Sequence, residues 1–116
     1  MDDTKFAVNN HKGVTIVCTN ERWDNHIASH EVMKNNSKAV KDTVKDPESV
    51  YKSAEYDNRE VYFKASSYST YKLKTKVVVE YSESKNGNVM GEVVTAFPSK
   101  DERGNIGENI YRKPEN

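Results

Sequence analysis

Two histidines, His26 and His30, stand one helical turn apart in this chain, shortly after its one tryptophan, Trp23. On a helix, residues i and i+4 share a face, so both imidazoles can reach one metal ion. Histidine also donates and accepts protons near neutral pH, which makes the pair a candidate for acid–base catalysis. A third interpretation is structural, with one imidazole packed beside Trp23 and the other solvated. These residues alone leave all three interpretations open, but no cysteine cluster or DxD pattern adds ligands, and the sequence predicts no metal site.

Acid–base chemistry on a phosphate also needs cations and hydroxyl groups near the histidines. The predicted strands offer five such residues, which are Arg59, Lys64, Thr95, Tyr111 and Arg112. Several of the seven tyrosines stand next to or near a lysine or arginine, as in Tyr51-Lys52 and Tyr62-Phe63-Lys64. Rings that stack on bases beside cations that bind phosphates are typical of single-stranded RNA recognition. Each of these residues also has a structural explanation: a solvated edge charge, β-propensity or cross-strand packing.

Composition limits the classes of protein to consider. The chain has 116 residues, of which 34% are hydrophobic and 31% are charged, a size that predicts one domain over residues 1–116. We expect the core in residues 13–113, with an N-terminal segment before it and a short tail after it. Eighteen Lys and Arg balance 18 Asp and Glu, so the formal net charge is zero. A generic nucleic-acid coat protein would be basic, and any nucleic-acid site here must be a local patch.

The single cysteine and the start of the chain bear on location. Cys18 lies in a β-branched run and has no partner for an intrachain disulfide, which suits a reducing compartment. The acidic start at residues 1–4 is followed by no long apolar run, so we expect neither a signal peptide nor a membrane span. The sequence therefore predicts a cytoplasmic protein.

The order of elements predicts an α+β fold. Residues 14–19 are typical of a strand, residues 20–31 of a helix, and residues 37–46 of a second helix that Pro47 ends. The pattern then changes to a period of two, which predicts strands at residues 50–51, 61–64, 73–81 and 92–97, with residues 110–113 as an edge strand or a segment across the sheet end. We expect the two N-terminal helices to cover one face of an antiparallel sheet and to leave the other face partly open.

This ordered set resembles a known family. The carrying segments are Trp23-x-x-His26-Ile27-x-x-His30, Val61-Tyr62-Phe63-Lys64, Leu73-x-x-Lys76-Val77-Val78-Val79, Val93-Val94-Thr95-Ala96-Phe97 and Ile110-Tyr111-Arg112-Lys113. Together they resemble the phage- and mobile-element-associated branch of the barnase–EndoU–colicin–RelE-like ribonucleases. The resemblance implies two N-terminal helices packed on a four-stranded antiparallel sheet that holds RNA. It also implies a metal-independent ribonuclease toxin without a cofactor, acting on RNA such as tRNA and neutralised by an immunity or antitoxin protein.

The resemblance also implies roles for particular residues. His30 would match the catalytic helix residue, Thr95 the hydroxyl of the late strand, and Lys64 a cation at the phosphate. Tyr111 or His26 would be the second proton carrier, and the substrate-binding side chains would be Arg59, Tyr62, Arg112 and Lys113. The family motif often reads His-Pro, whereas Glu31 follows His30 here, so either His26 or His30 can be the active histidine.

The implied reaction is transesterification. A base takes the proton of the ribose 2′-OH, the oxygen attacks phosphorus, and an acid protonates the leaving 5′ oxygen. The alternative is a noncatalytic module of a mobile element that binds a partner protein through a sheet edge or its tyrosine-rich face. A ribonuclease needs its histidine, cations and hydroxyl in one cleft, whereas a binding module does not.

Overall fold

A computed structural model describes residues 3–28, 33–66 and 73–114. In these ranges, seven strands form one sheet in the order β1-β2-β6-β5-β4-β3-β7. Helix α1 runs directly into a π-helical turn, and helix α2 follows later in the chain. The element bounds are β1 (Thr4–Asn9), β2 (Thr15–Thr19), α1 (Asn20–Arg22), the π turn (Trp23–Ile27), α2 (Ser37–Lys45), β3 (Ser49–Ser53), β4 (Arg59–Ser66), β5 (Leu73–Glu83), β6 (Val89–Ser99) and β7 (Ile106–Arg112).

The predicted fold, two N-terminal helices on a four-stranded antiparallel sheet, is wrong. The predicted strands after Pro47 do form an antiparallel unit, β3 to β6, but the sheet extends beyond it on both sides. On one side β2 pairs with β6 in parallel, and β1 pairs with β2. On the other side β7 pairs with β3. The described chain is therefore a mixed sheet with short helices.

The N-terminal segment explains part of this error. The sequence pattern leaves residues 1–12 outside the core, yet β1 occupies residues 4–9 and buries Phe6. Phe6 is the one side chain of this strand that is fully buried, because β1 is an edge strand with a mostly exposed face. A single buried position is too few to produce a recognisable period of two.

The first helix is also shorter and different in type from the prediction. Thr19 caps its N-terminus, since the Thr19 hydroxyl accepts a hydrogen bond of 3.1 Å from the amide of Arg22. After three residues the backbone widens into the π turn, in which Trp23 and Ile27 are buried. Residues 29–31, which complete the predicted helix, lie outside the described residues. Helix α2 matches its prediction to within one residue, with Val40 and Val44 buried on one face.

The core lies between the helices and one face of the sheet. Paired residues of neighbouring strands point to the same side, so Tyr62, Val77 and Ala96 together face the helices. The next residues along, Val61, Val78 and Thr95, point away from the helices. We call these two sides the helix face and the far face. No helix in the described part of the chain is long and apolar enough to span a membrane.

A crossing loop, residues 100–105, runs over the far face. It connects β6 with β7, and in the sheet order it must pass β5, β4 and β3. Lys76 of β5 donates hydrogen bonds to the carbonyls of Arg103 and Gly104, which holds the loop against this face. The loop leaves the end of the far face near Thr95 uncovered, and a cleft remains there.

Candidate functional site

The sheet separates the side chains predicted to be catalytic. Tyr111 pairs with Val50 and packs on the helix face, whereas Thr95 points to the far face. His26 is exposed beside α1, in a polar cleft that Asp3 and Glu92 also line. His30 lies outside the described residues. Among the described residues, the predicted histidine, hydroxyl and tyrosine therefore do not meet in one cleft.

The predicted phosphate-binding cations Lys64, Arg112 and Lys113 are each bonded to a carboxylate of this chain. Lys64 and Lys113 lie 3.5 and 2.7 Å from the same carboxylate oxygen of Asp46. Arg112 donates a 2.9 Å hydrogen bond to Glu102, on the crossing loop. These carboxylates partly neutralise the cations and so weaken their attraction for a phosphate.

Glu102 is the centre of this ion-pair network. It accepts hydrogen bonds from Lys74 at 2.6 Å, Tyr51 at 2.7 Å and Arg112 at 2.9 Å. Burial raises the pKa of the Glu102 carboxyl, but these hydrogen bonds outweigh burial and lower the pKa to about 2. A carboxyl group with so low a pKa is a weak proton acceptor. The three hydrogen bonds of Glu102 connect the crossing loop to β3, β5 and β7. The network therefore holds the loop in place.

Tyr62, predicted to bind substrate, belongs to a buried polar cluster on the helix face. Its hydroxyl is hydrogen-bonded to the hydroxyl of Tyr81 and accepts a 3.0 Å bond from the Asn10 amide. The His11 ring packs against Tyr62 and Tyr111, at centroid distances of 5.9 and 4.3 Å. Both His11 ring nitrogens are buried without a hydrogen-bond partner among the described residues. The cluster fastens the β1–β2 turn to the sheet, and Tyr62 is inaccessible to a substrate.

The sequence pattern did not predict this use of Asn10 and His11. One local signal was present, since the Asn10 side chain accepts hydrogen bonds of 2.9 Å from the amides of Lys12 and Val14. This is the Asx-type turn that an asparagine shortly before a glycine, here Gly13, favours. The signal predicts the turn but not the tyrosines that it meets, because these lie far away in the sequence.

The cleft on the far face is lined by two of the predicted site residues, Arg59 and Thr95, and by several residues that the sequence did not indicate as site residues. Its floor is apolar and is formed by Val61 of β4, Val78 of β5, and Val94 and Phe97 of β6. It encloses about 170 Å³. Arg59 and Thr95 stand at the rim with Tyr56, Ser53, Glu55 and the crossing-loop residues Gly104 and Asn105, and Lys76 lies at the base.

A β-bulge in β6 shapes the floor. Val78 pairs with Thr95 and Val79 pairs with Val93, which leaves Val94 as an extra residue in β6. Bulges redirect side chains and often occur beside functional sites. Here the bulge lets two successive residues, Val94 and Thr95, line the same cleft. The sequence signal for an apolar surface on the far face was the continuous apolar run of β5. Val77 and Val78 are both apolar, although their side chains point to opposite faces of the sheet.

Tyr56 and Arg59 form one wall of the cleft. The Arg59 guanidinium lies 4.0 Å from the centre of the Tyr56 ring and donates to Glu80 at 3.2 Å. Tyr56 is 48% exposed, a high value for a large aromatic side chain. Its position is set locally, because the Ser53 hydroxyl accepts hydrogen bonds of 3.2 Å from the amides of Glu55 and Tyr56. The wall is therefore held in place while its ring stays open to solvent.

Lys76 forms the base of the cleft and is 6% exposed. Its ammonium donates to the carbonyl of Arg103 at 2.9 Å and to that of Gly104 at 2.7 Å. The rings of Phe97 and Phe63 lie 5.3 and 5.9 Å from it. Burial lowers the pKa of Lys76. Gly104 has a φ of +91°, and a Cβ there would lie 2.7 Å from this ammonium, so the loop needs glycine at this position.

The described part of the chain has no site suited to metal binding or to thiol chemistry. No group of three or more His, Cys, Asp and Glu side chains there is placed to hold a metal ion. Cys18 is buried in the core, and burial raises the pKa of its thiol to about 12. A thiol with this pKa is not a nucleophile at neutral pH.

Comparison of the chain with protein-family models, curated proteins and solved structures finds no match. The resemblance to the ribonuclease family therefore stays a prediction from the sequence. The local geometry of the far-face cleft is the basis for the proposal that follows.

Proposed function

We propose that this chain is a noncatalytic protein-binding module and that its far-face cleft accepts one apolar side chain of a partner protein. The observation that carries the proposal is the cleft itself. It combines a floor of valines and Phe97 with a solvent-exposed tyrosine–arginine wall. Tyrosine and arginine are enriched among the interface residues that contribute most to binding, particularly around pockets that exclude water.

The size of the cleft favours a single side chain. A cavity of roughly 150 Å³ holds a benzene ring. The cleft encloses about 170 Å³, so an aromatic or branched aliphatic side chain fills it. Small-molecule sites usually span about 300 to 1,000 Å³, which this cleft does not reach. A protein partner can use such a cleft as an anchor and gain the remaining contacts from the surrounding surface.

The separation of the predicted catalytic residues supports a binding role over RNA cleavage. Transesterification needs a base, an acid and cations around one phosphate. Thr95 lies on the far face, Tyr111 lies on the helix face, and Lys64 and Arg112 are bonded to carboxylates. His30 is outside the described residues, so the ribonuclease remains the alternative and needs its own assay.

A peptide selection tests the proposal and does not require the partner to be identified. A random peptide display library is selected on the wild-type protein, and the affinities of the enriched peptides are measured by calorimetry. Val94→Arg places a charged side chain in the cleft. Val89→Arg is the matched control, because Val89 lies on the same strand, is 47% exposed and does not line the cleft.

We expect Val94→Arg to weaken peptide binding by about 30-fold or more, which corresponds to the loss of one dominant anchor. Val89→Arg should bind as the wild type does. Thermal unfolding of all three proteins establishes that the variants are folded. Thr95→Arg replaces Val94→Arg if that variant does not fold. Peptides that bind the wild type and both cleft variants equally would refute the cleft as the binding site.

A further inference from the structure

Lys76 differs from the other cations of the far face in its partners. Arg59, Lys74 and Arg112 each have a carboxylate within 3.2 Å. The hydrogen-bond partners of Lys76 are two backbone carbonyls, and no carboxylate among the described residues lies within ion-pair distance of it. Lys76 is also more deeply buried than those three side chains.

A buried ammonium without a counter-ion is costly, because water no longer solvates the charge. The two carbonyls use two of its three N–H groups. The nearby rings of Phe63 and Phe97 add cation–π attraction, but they bring no negative charge. The lowered pKa of Lys76, which burial causes, agrees with an incompletely compensated charge. Among the described residues, one N–H group and the positive charge of Lys76, a residue that lines the cleft, thus remain without a partner.

We propose that the cleft binds the C-terminal residue of a partner protein, with the terminal carboxylate on Lys76 and an apolar side chain on the valine floor. This inference rests on the proposed function and specifies its ligand. A C-terminal residue carries a carboxylate and a side chain on one Cα, so a single residue can supply the group for Lys76 and the group for the valine floor. An internal acidic residue would need a second residue to supply the apolar group.

The charges around the cleft agree with an anionic ligand. Of its two cationic lining residues, Arg59 is paired with Glu80 and Lys76 is not paired with a carboxylate among the described residues, and Glu55 is its anionic lining residue. Glu55 is exposed at the rim, whereas Lys76 lies at the base. A carboxylate at the base would therefore meet the ammonium in a low-dielectric environment, where a charged hydrogen bond is strongest.

Two small probes that differ at the carboxylate test this inference. N-acetyl-phenylalanine has a free carboxylate, and N-acetyl-phenylalaninamide is its neutral counterpart. Each is titrated into the ¹⁵N-labelled protein, and the backbone amide shifts of Val94, Thr95, Gly104 and Asn105 are followed by NMR. We expect both probes to shift these resonances and the acid to bind about tenfold more tightly than the amide, since it adds a hydrogen bond between charged groups.

Lys76→Met removes the ammonium but keeps an unbranched side chain, and it should abolish the preference for the acid. Lys52→Met is the control, because Lys52 is a lysine of β3 with a side chain 63% exposed that does not line the cleft and has no bond to the crossing loop among the described residues. The variant should keep the preference. The comparison of the two probes on the wild-type protein needs no variant, so the test stands even if Lys76→Met does not fold.

The possible results separate the two proposals. Equal affinity of the wild-type cleft for both probes would overturn the carboxylate inference and leave the protein-binding module intact. A preference for the acid that persists in folded Lys76→Met would also overturn the role of Lys76. Shifts confined to residues outside the cleft, or no shifts with either probe, would overturn the cleft as a binding site together with the inference.

Discussion

Replacing Glu102 with glutamine should loosen the crossing loop that borders the cleft. The Glu102 side chain is 14% exposed and joins the loop to Lys74, Tyr51 and Arg112. Glutamine keeps the shape of the side chain and removes the charge. The loss should therefore report the electrostatic part of the network rather than a change in packing.

The magnitude follows from the pKa of Glu102. Burial raises this pKa, but the hydrogen bonds from Lys74, Tyr51 and Arg112 outweigh burial, and the pKa falls from 4.5 to about 2. A tenfold change in proton affinity is worth about 1.4 kcal/mol, so the carboxylate contributes at most about 3 kcal/mol to the free energy of unfolding at neutral pH. The Arg112 side chain is 56% exposed, and solvent screens its share. We therefore expect Glu102→Gln to lose about 2 kcal/mol at pH 7.

The pH dependence has a definite sign. Because folding lowers the pKa of Glu102, its contribution is complete above pH 4.5 and is lost as the pH falls from 4.5 towards 2. The difference in stability between wild type and Glu102→Gln should shrink over the same range. Urea unfolding followed by the fluorescence of Trp23, which is 3% exposed, measures both proteins at each pH.

Asp101→Asn is the control for this experiment. Asp101 precedes Glu102 on the same loop, but its side chain is 62% exposed and pairs with the exposed Arg103. We expect its replacement to change the free energy of unfolding by less than about 0.5 kcal/mol. A Glu102→Gln protein as stable as the wild type at pH 7, or a deficit of equal size at pH 7 and near pH 2, would refute the reasoning.

Three further predictions concern other parts of the molecule. Burial, with a smaller contribution from the Lys12 charge, lowers the pKa of His11, so its contribution to stability is complete above pH 6.5 and is lost as the pH falls below that value. The melting temperature of His11→Asn should therefore vary less between pH 7 and 5 than that of the wild type. A Cβ at Gly91 would overlap side chains of β2 and β5, so Gly91→Ala should destabilise the protein by about 1 to 3 kcal/mol in urea, whereas Gly107→Ala, whose nearest contact is 3.4 Å, should cost less. Total RNA and tRNA incubated in EDTA should stay intact with the wild type; discrete cleavage that disappears in His30→Ala would favour the ribonuclease over the binding module.

Local sequence signals predicted several elements of this fold well. Helix α2 followed from the spacing of Val40 and Val44 and from Pro47, because these signals act within a few residues. The strands β5 and β6 agree with those predicted at residues 73–81 and 92–97, and the turn between them contains Asn86-Gly87, a dipeptide typical of hairpins, in which Gly87 has a φ of +82°. Both elements depend on contacts between residues near one another in the sequence, and the sequence pattern records such contacts directly.

The sequence by itself thus determined the positions of most strands, one helix and the residue types available for chemistry. Tertiary structure decided which of those residues meet. The registers of β4 with β5 and of β5 with β6, together with the bulge at Val94, place Thr95 in the same cleft as Arg59 and on the face opposite to Tyr111. The sequence shows Lys76 as a lysine in a predicted strand. Its burial depends on contacts with the crossing loop, which lies more than 25 residues later in the sequence. Pairing between distant segments is selected by the packing of the whole sheet, and no local pattern of residue types encodes it.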